Sequence, residues 1–170
     1  MTEGIMEFSS NKKEMYKEVV VLMRGLFEDC PHVIANLANA SALLNQAMKE
    51  INWVGFYLME EGQLVLGPFQ GKTACVEIKV GKGVCGTAVE RDEVMLVENV
   101  HAFPGHIACD SASRSEIVLP IHADGRTVGV LDIDSPVIAR FDEEDRDGLV
   151  AVVNVIEDMF EKKQSKAGNP

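Results

Sequence analysis

The chain has 170 residues, 46% of them hydrophobic and 25% charged, which is typical of one soluble globular domain. Its 16 basic and 27 acidic residues give a formal net charge of −11, which argues against a nucleic acid or an anionic membrane as partner. No apolar run predicts a membrane span, and the acidic start lacks a signal-peptide pattern. We therefore expect a cytoplasmic protein whose four cysteines are free thiols, metal ligands or redox groups.

The first third of the chain is predicted to form two helices after a loose arm at residues 1–10. Apolar residues recur at helical spacing over residues 12–28, and Cys30-Pro31 ends that helix. A second helix is predicted over residues 32–49. Cys30, at the junction, is interpreted as a packing residue because free cysteines are usually buried.

The middle of the chain is predicted to form six strands and one short helix. The strands are expected at 51–59, 63–69, 73–80, 93–97, 114–122 and 126–135, and the helix at 84–91. A last helix opens at Phe141, and the tail from Gln164 is expected to fray.

This order of elements contains no strand–helix–strand alternation. It predicts an α+β fold in which a mostly antiparallel six-stranded sheet carries the N-terminal helices and the C-terminal helix. We expect a single domain over residues 1–170, with its core at about 10–162 and a tail at 164–170.

Residues 101–134 give the strongest indication of function. Cys109 follows a Pro-Gly loop within a long connection at residues 98–113, and long ordered loops are often functional. Three acids lie in or at the end of the apolar strands that follow: Glu116, Asp132 and Asp134. Buried carboxyls are costly unless they are paired, ligated or protonated. A thiol facing several carboxyls therefore indicates a site for chemistry.

Three interpretations of Cys75, Cys85 and Cys109 stay open on pattern alone. A zinc site would lack the usual Cys-x-x-Cys or His-x-x-x-His spacing. The thiols could also be unrelated core residues. In redox catalysis, one thiolate attacks an electrophile and a second cysteine resolves the sulfenic acid as a disulfide. Positive charge on His106 and Arg114 would favour a Cys109 thiolate, whereas nearby acids oppose it.

Five motifs, in this order along the chain, carry a resemblance to a known family. They are Asn52-Trp53-Val54-Gly55-Phe56-Tyr57, Gly81-Lys82-Gly83-Val84-Cys85-Gly86-Thr87-Ala88, Pro104-Gly105-His106-Ile107-Ala108-Cys109-Asp110, Ser115-Glu116-Ile117-Val118 and Gly129-Val130-Leu131-Asp132-Ile133-Asp134. Together they resemble the free methionine-(R)-sulfoxide reductases, which are single GAF domains. The resemblance implies reduction of the free amino acid, with thioredoxin as external reductant, no bound cofactor, no metal and a homodimer.

The resemblance also assigns roles to individual residues. It makes Cys109 the nucleophile, Cys75 the resolving cysteine and Cys85 a third thiol that can enter the relay. The pocket residues it implies are Glu116 and Asp134 on the sulfoxide oxygen, Asp132 on the substrate ammonium, and Trp53 and Tyr57 beside the methyl group. An acid among other acids can stay protonated near neutral pH and can donate the proton that the leaving oxygen needs.

The alternative hypothesis is a non-catalytic GAF sensor that binds a small ligand in the same pocket. A sensor domain is usually joined to an output domain, for which we expect no room in a chain of this length. A sensor also has no need for two or three thiols in its pocket. Turnover of methionine sulfoxide in the presence of a dithiol distinguishes the two hypotheses.

The pairing of the last two strands decides whether the three acids share a face. By default Asp124-Gly125 favours a two-residue turn, which would direct Glu116 away from Asp132. A three-residue loop with a left-handed Gly125 would instead place Glu116 directly opposite Asp132. We predict this second register because the three-acid site requires a shared face.

The redox interpretation also predicts proximity and movement of two cysteines. Cys75 and Cys109 should come within disulfide range, with Cα atoms less than about 7 Å apart. The 98–113 loop, or the segment around Cys75, should move between redox states.

Overall fold

The computed structural model describes residues 6–107 and 109–167, and side chains as far as residue 162. The helices are α1 (Lys12–Phe27), α2 (Val33–Ala47), α3 (Gly83–Arg91) and α4 (Glu143–Ala167), with a 3₁₀ turn at Val100–Ala102. The strands are β1 (Trp53–Glu60), β2 (Gln63–Gly71), β3 (Glu77–Ile78), β4 (Met95–Val97), β5 (Ser115–Ala123) and β6 (Arg126–Ser135). Within the described residues, no helix combines the length and the apolar character needed to cross a membrane.

Segments near both ends of the described chain adopt definite structure. Helix α4 continues to Ala167, so residues 164–167 of the predicted tail are helical. At the other end, Phe8 packs against the core and the Ser9 backbone N–H donates to Glu18 Oε2 at 3.0 Å. This part of the predicted loose arm is therefore held against the domain. Residues 1–5 and 168–170 lie outside the described residues.

The six strands form one sheet in the order β3-β2-β1-β6-β5-β4, with every neighbouring pair antiparallel. The α+β prediction is confirmed. The main difference is β3, where only two residues of the predicted strand at 73–80 pair with β2. Side chains of β1 instead bind the carbonyl groups of this segment: Trp53 Nε1 donates to Lys72 O, and Tyr57 Oη donates to Cys75 O.

The two faces of the sheet have separate cores. Helices α1, α2 and α4 cover one face, against buried side chains that include Val54, Phe56, Ile117, Leu131 and Ile133. The other face carries Trp53, Tyr57, Val118 and Val130 and packs against α3. Each fully buried large apolar side chain contributes about 1.5–3 kcal/mol. The strands alternate between the faces as the two-residue period requires, so the odd positions of β1 point away from the three large helices.

A buried carboxylate joins α1 to the start of α4. Asp145 is fully buried, and it accepts hydrogen bonds from Lys12 Nζ at 2.6 Å, Tyr16 Oη at 2.8 Å and Arg140 Nη1 at 3.2 Å. Its backbone N–H donates to Asp142 Oδ1, while the Asp142 N–H donates to Asp145 Oδ2, a reciprocal cap of the helix. Because every partner is polar or charged, this acid is compensated inside the fold.

The β5–β6 hairpin corrects the predicted register. Ala123 pairs with Arg126 across a two-residue Asp124-Gly125 turn, in which both residues have positive φ (51° and 67°), so the three-residue loop is wrong. The pairing then shifts between Ile121 and His122, where β6 carries one extra residue, and Glu116 lies opposite Asp134 rather than Asp132. This bulge reverses the inward and outward alternation once. Glu116 therefore shares a face with both aspartates despite the two-residue turn.

Candidate active site

A narrow pocket lies between the sheet, α3 and the 98–113 loop, on the face away from the three large helices. It is a cavity of about 40 Å³, so it has room for little more than water. Seven of the eight residues implied by the sequence line it: Trp53, Tyr57, Cys85, Cys109, Glu116, Asp132 and Asp134. The eighth, Cys75, reaches the pocket through its bond to Cys109.

Glu116 and Asp132 are buried and Asp134 is half-buried beside them, and no described residue pairs a cation with these three acids. Glu116 and Asp132 are 6% and 5% exposed, and Asp134 pairs with Glu116 across the β5–β6 ladder. Asp132 Oδ1 has no hydrogen-bond partner among the described residues. No basic group contributes to the pKa shifts of the three carboxyls. The pocket therefore holds uncompensated carboxyls, which the fold tolerates only when they are protonated or when a ligand supplies positive charge.

The three carboxyls differ in how strongly they hold a proton. Burial, followed by the charges of Asp132 and Asp134, raises the pKa of Glu116 well above its usual range. Burial and the charges of Asp132 and Asp110 do the same to the pKa of Asp134. The pKa of Asp132 rises only to about 6, because hydrogen bonds from Glu116 and Cys85 offset its burial. Of the three carboxyls, Asp132 therefore gives up its proton most readily, and Glu116 and Asp134 hold theirs more strongly.

Two cysteines from distant segments are joined beside these acids. Cys75 and Cys109 form a disulfide across 34 positions, with a Cα–Cα distance of 5.8 Å, so the predicted proximity is confirmed. Because these two sulfurs are bonded to each other, a zinc site made of all three cysteines is not formed in this structure. Cys109 is exposed, whereas Cys75 is half-buried.

Cys85 is a free thiol on α3, under the acids. Its Sγ lies 3.9 Å from Glu116 Oε1, and burial together with the neighbouring carboxylates raises its pKa well above the usual value. It therefore stays a thiol at neutral pH and is a poor nucleophile as it stands. The ligand atoms of Cys85, Glu116 and Asp132 lie within 4.8 Å of one another, close enough to hold one metal ion.

Strand β1 ties both cysteine segments to the sheet. Asn52, just before the strand, donates from Nδ2 to Asp110 Oδ2 at 3.1 Å and to Ser113 Oγ at 3.0 Å, which anchors the loop that bears Cys109. On the other side, Trp53 Nε1 lies 3.1 Å from Lys72 O, and Tyr57 Oη lies 3.0 Å from Cys75 O. The role of Asn52 was missed from the sequence, although the residue opens one of the motifs quoted above.

An aromatic wall lies beside the acids on the same face of the sheet, where Trp53 is the direct cross-strand partner of Asp134. Trp53 stacks on Tyr57 with 5.9 Å between ring centroids and on Phe69 with 5.2 Å. Gly55 lies between Trp53 and Tyr57 in β1, and a Cβ at this position would collide with Phe69. The absence of a side chain at this position therefore lets Phe69 pack closely against the wall.

The expected positive charge next to Cys109 is not provided by the residues proposed for it. Burial and the neighbouring His101 lower the pKa of His106, so this imidazole is neutral at neutral pH. Arg114 is exposed and does not line the pocket. Asp110 stays ionised, since the Ala112 backbone N–H holds the pKa of its carboxyl below the usual range. The charge balance that the sequence left open at Cys109 therefore includes a neutral His106 and an ionised Asp110.

Comparison with known proteins agrees with this geometry. The GAF domain family matches residues 39–161. A free methionine-R-sulfoxide reductase of Escherichia coli is 54% identical over 147 residues, covering 86% of this chain and 89% of that protein. One from Saccharomyces cerevisiae is 45% identical over 154 residues, covering 86% of each chain. This chain belongs to the free methionine-R-sulfoxide reductase family of GAF domains.

Solved structures of the family superpose closely on this chain. The free methionine-R-sulfoxide reductase of Neisseria meningitidis, solved in complex with its substrate, has a TM-score of 0.90 at 44% identity and covers 95% of this chain and 98% of that one. The reduced enzyme of Staphylococcus aureus has a TM-score of 0.83 at 53% identity, with coverage of 85% and 94%. A GAF domain from a Coxiella burnetii phosphotransferase, at 18% identity and a TM-score of 0.80, shares the fold alone.

Proposed function

We propose that this chain reduces free methionine-(R)-sulfoxide to methionine, with Cys109 as the nucleophile. The observation that carries the proposal is a Cys75–Cys109 disulfide beside three carboxyls, two buried and one half-buried, that lack a cationic partner among the described residues. Free methionine sulfoxide offers what these groups need, an ammonium for a carboxylate and a sulfoxide for a thiol. A sensor that only binds ligand would have no use for the bonded cysteine pair.

The chemistry divides into two steps that balance without a bound cofactor. The Cys109 thiolate attacks the sulfoxide, and the oxygen passes, with a proton, to the Cys109 sulfur. Methionine is released as the thioether, and Cys109 becomes a sulfenic acid. The Cys75 thiol then attacks that sulfenic acid and forms the disulfide, while the oxygen departs as water after taking up a proton. We also propose that Cys85 can enter the relay as a third thiol.

The different proton affinities of the acids fit different roles. Asp132, ionised near neutral pH, receives the substrate ammonium. Glu116 and Asp134, which keep their protons, bind the sulfoxide oxygen and donate to it as charge develops. The wall formed by Trp53 and Tyr57 gives the S-methyl group an apolar contact.

Turnover requires an external dithiol, and we propose thioredoxin for this role. We also propose a homodimer, one domain over residues 1–170 with its core at about 10–162, and a cytoplasmic location, where thiols are kept reduced. The cavity of the disulfide form is only about 40 Å³, which supports opening of the 98–113 loop or the Cys75 segment upon reduction.

The test is a turnover assay with separated epimers. The purified protein, supplied with dithiothreitol, should form methionine from free L-methionine-(R)-sulfoxide, and it should leave the S epimer and a peptide-bound sulfoxide unchanged. Absence of methionine from the R epimer, in a protein that still binds it, would favour the sensor hypothesis and overturn the reductase.

A further inference from the structure

Exposed apolar side chains flank both halves of the disulfide. Val76 directly follows Cys75 and is 64% exposed, and Ile107, two residues before Cys109, is 39% exposed. Val80, in the same connection as Val76, is 38% exposed. Single exposed apolar residues are common, whereas several of them around one reactive bond indicate an interaction surface.

The backbone holds these side chains in place. The carbonyl of Val76 accepts a hydrogen bond from Leu66 N at 2.9 Å, which fixes it against β2 at the edge of the sheet. Ile107 lies over the first residue of α3, because a Cβ added to Gly83 would be 3.2 Å from Ile107 Cδ1. The carbonyl of Ile107 also accepts from Cys109 N at 3.1 Å. Val76 and Ile107 are therefore presented in fixed positions, so a partner would lose little entropy in ordering them.

The segment that carries Val76 and Val80 has a net charge opposite in sign to that of the whole chain. Residues 72–82 contain three exposed lysines, Lys72, Lys79 and Lys82, against one glutamate, in a protein with a net charge of −11. The ammonium of Lys72 lies 3.9 Å from Asp110 Oδ1, next to the nucleophile. A partner with acidic groups around an apolar contact would be attracted here and repelled by most of the remaining surface.

We propose that Val76, Val80 and Ile107, with Lys72, Lys79 and Lys82 around them, form the docking surface for a protein dithiol that reduces the Cys75–Cys109 disulfide. The inference rests on the proposed function, because reduction of the sulfoxide generates this disulfide. The proposed partner is a thioredoxin-class protein with an apolar face beside its thiols and acidic residues around that face. A small dithiol makes none of these contacts.

The reaction balances with the dithiol as the only reductant. A thiolate of the partner attacks the more exposed sulfur, Cys109 Sγ, which breaks the disulfide and forms a mixed disulfide, while Cys75 leaves as a thiolate and takes up a proton. The second thiol of the partner then attacks its own half of the mixed disulfide and releases Cys109. Two electrons and two protons pass from the partner, which ends as a disulfide.

The experiment measures reduction of the preformed disulfide, so it does not depend on sulfoxide turnover. Full-length protein is oxidised to the Cys75–Cys109 form and mixed either with reduced thioredoxin or with dithiothreitol. Val76→Asp should lower the second-order rate with thioredoxin by about tenfold, because a carboxylate replaces an apolar contact. Its rate with dithiothreitol should equal that of the wild type. Val21→Asp is the matched control, since Val21 is 69% exposed on α1, and it should change neither rate.

The charged part of the surface has its own test. Lys79→Glu should slow thioredoxin several-fold at low salt and weaken the dependence of that rate on ionic strength, again without effect on dithiothreitol. Wild-type rates with thioredoxin in both variants would overturn the docking surface. A parallel loss with dithiothreitol would also overturn it, because the substitutions would then act on the disulfide itself. Failure of the proposed reductase function would show separately, as absence of methionine in the epimer assay.

Discussion

Two groups of buried acids lie on opposite faces of the same sheet, and they are treated in opposite ways. Asp145, beneath α1 and α4, is fully buried but is paired with Lys12 and Arg140. Glu116 and Asp132, in the pocket, are almost as buried and have no basic partner among the described residues. Removing one partner of a buried ion pair lowers the free energy of unfolding. Burying a charged carboxyl that has no partner lowers it even in the wild-type protein. The first arrangement compensates the buried charge within the fold, and we propose that the second is retained for a ligand.

Proton affinity shows the same contrast. Lys12 holds the pKa of Asp142, at the edge of the first group, at about 2. In the pocket, the pKa values of Glu116 and Asp134 rise well above their usual range, mainly by burial. A carboxyl that keeps its proton at neutral pH is of little use for an ion pair, but it can act as an acid.

The largest expected effect is on chemistry. Cys109→Ser should lower sulfoxide turnover by roughly 10³-fold or more, because a hydroxyl without an adjacent base is a poor nucleophile. The free energy of unfolding of the reduced protein should stay close to that of the wild type, since Cys109 is exposed. Turnover with dithiothreitol and urea denaturation of reduced samples measure the two quantities. Cys75→Ser is the companion variant. It should form about one methionine per chain in a first turnover and then cycle slowly. Near-normal activity of Cys109→Ser would show that Cys109 is not the nucleophile.

A matched pair of neutralising substitutions separates the two groups of acids. Asp145→Asn should lower the free energy of unfolding by about 3 kcal/mol, because Lys12 and Arg140 lose their buried partner. Glu116→Gln should leave stability unchanged or raise it, since it removes a carboxyl whose charged form is disfavoured by burial, while turnover falls by about 10²-fold or more. Denaturation at neutral pH gives the stabilities. Equal destabilisation by both variants would mean that the two groups do not differ as described.

The pH profile sharpens the role of Asp132. Its pKa of about 6 predicts that kcat/KM falls as the pH drops below that value, because the protonated carboxyl can no longer pair with the substrate ammonium. Asp132→Asn should lack this acidic limb and should show a raised KM at every pH. Initial rates between pH 5 and 8 measure it. A profile for Asp132→Asn that keeps the wild-type acidic limb would assign the limb to another group.

A smaller effect is expected from the anchor of the nucleophile loop. Asn52→Ala removes the hydrogen bonds to Asp110 and Ser113 and should slow the first turnover by about tenfold, with little change in the binding of substrate. Asn52→Asp should be worse than alanine, because it places a second carboxylate beside Asp110. Rapid-quench measurement of methionine formation distinguishes these cases. Unchanged first-turnover rates in both variants would show that Asn52 does not position the loop.

The sequence predicted most elements of the fold, since helices and strands follow from the spacing of apolar residues. The bounds of β6, Arg126–Ser135, agree with the structure. The β5–β6 register shows where pattern alone stops: Asp124-Gly125 does form the two-residue turn that its residues favour, and a bulge further along the strands restores the shared face. No local signal in the β6 sequence marks the extra residue, because the bulge depends on how β6 meets its neighbours.

The candidate site was predicted mainly from motifs, and the long-range hydrogen bonds of the fold and of the site were not. Tyr16 and Asp145 are 129 positions apart, so their hydrogen bond depends on tertiary packing. The anchor from Asn52 to Asp110, 58 positions away, was missed for the same reason. Charges near Cys109 were judged from neighbours in sequence. This overestimated the positive charge of His106, because the burial that lowers its pKa is not visible in the sequence.

Calorimetry on the reduced Cys109→Ser variant tests the central claim most directly, because it separates binding by the pocket acids from turnover. We predict that it binds free L-methionine-(R)-sulfoxide, that N-acetylation of the ligand weakens binding by at least about tenfold, and that adding Asp132→Asn removes the difference between the two ligands. Equal binding of the free and N-acetylated sulfoxides by the Cys109→Ser protein would contradict the claim that the unpaired carboxyls are kept for the substrate ammonium.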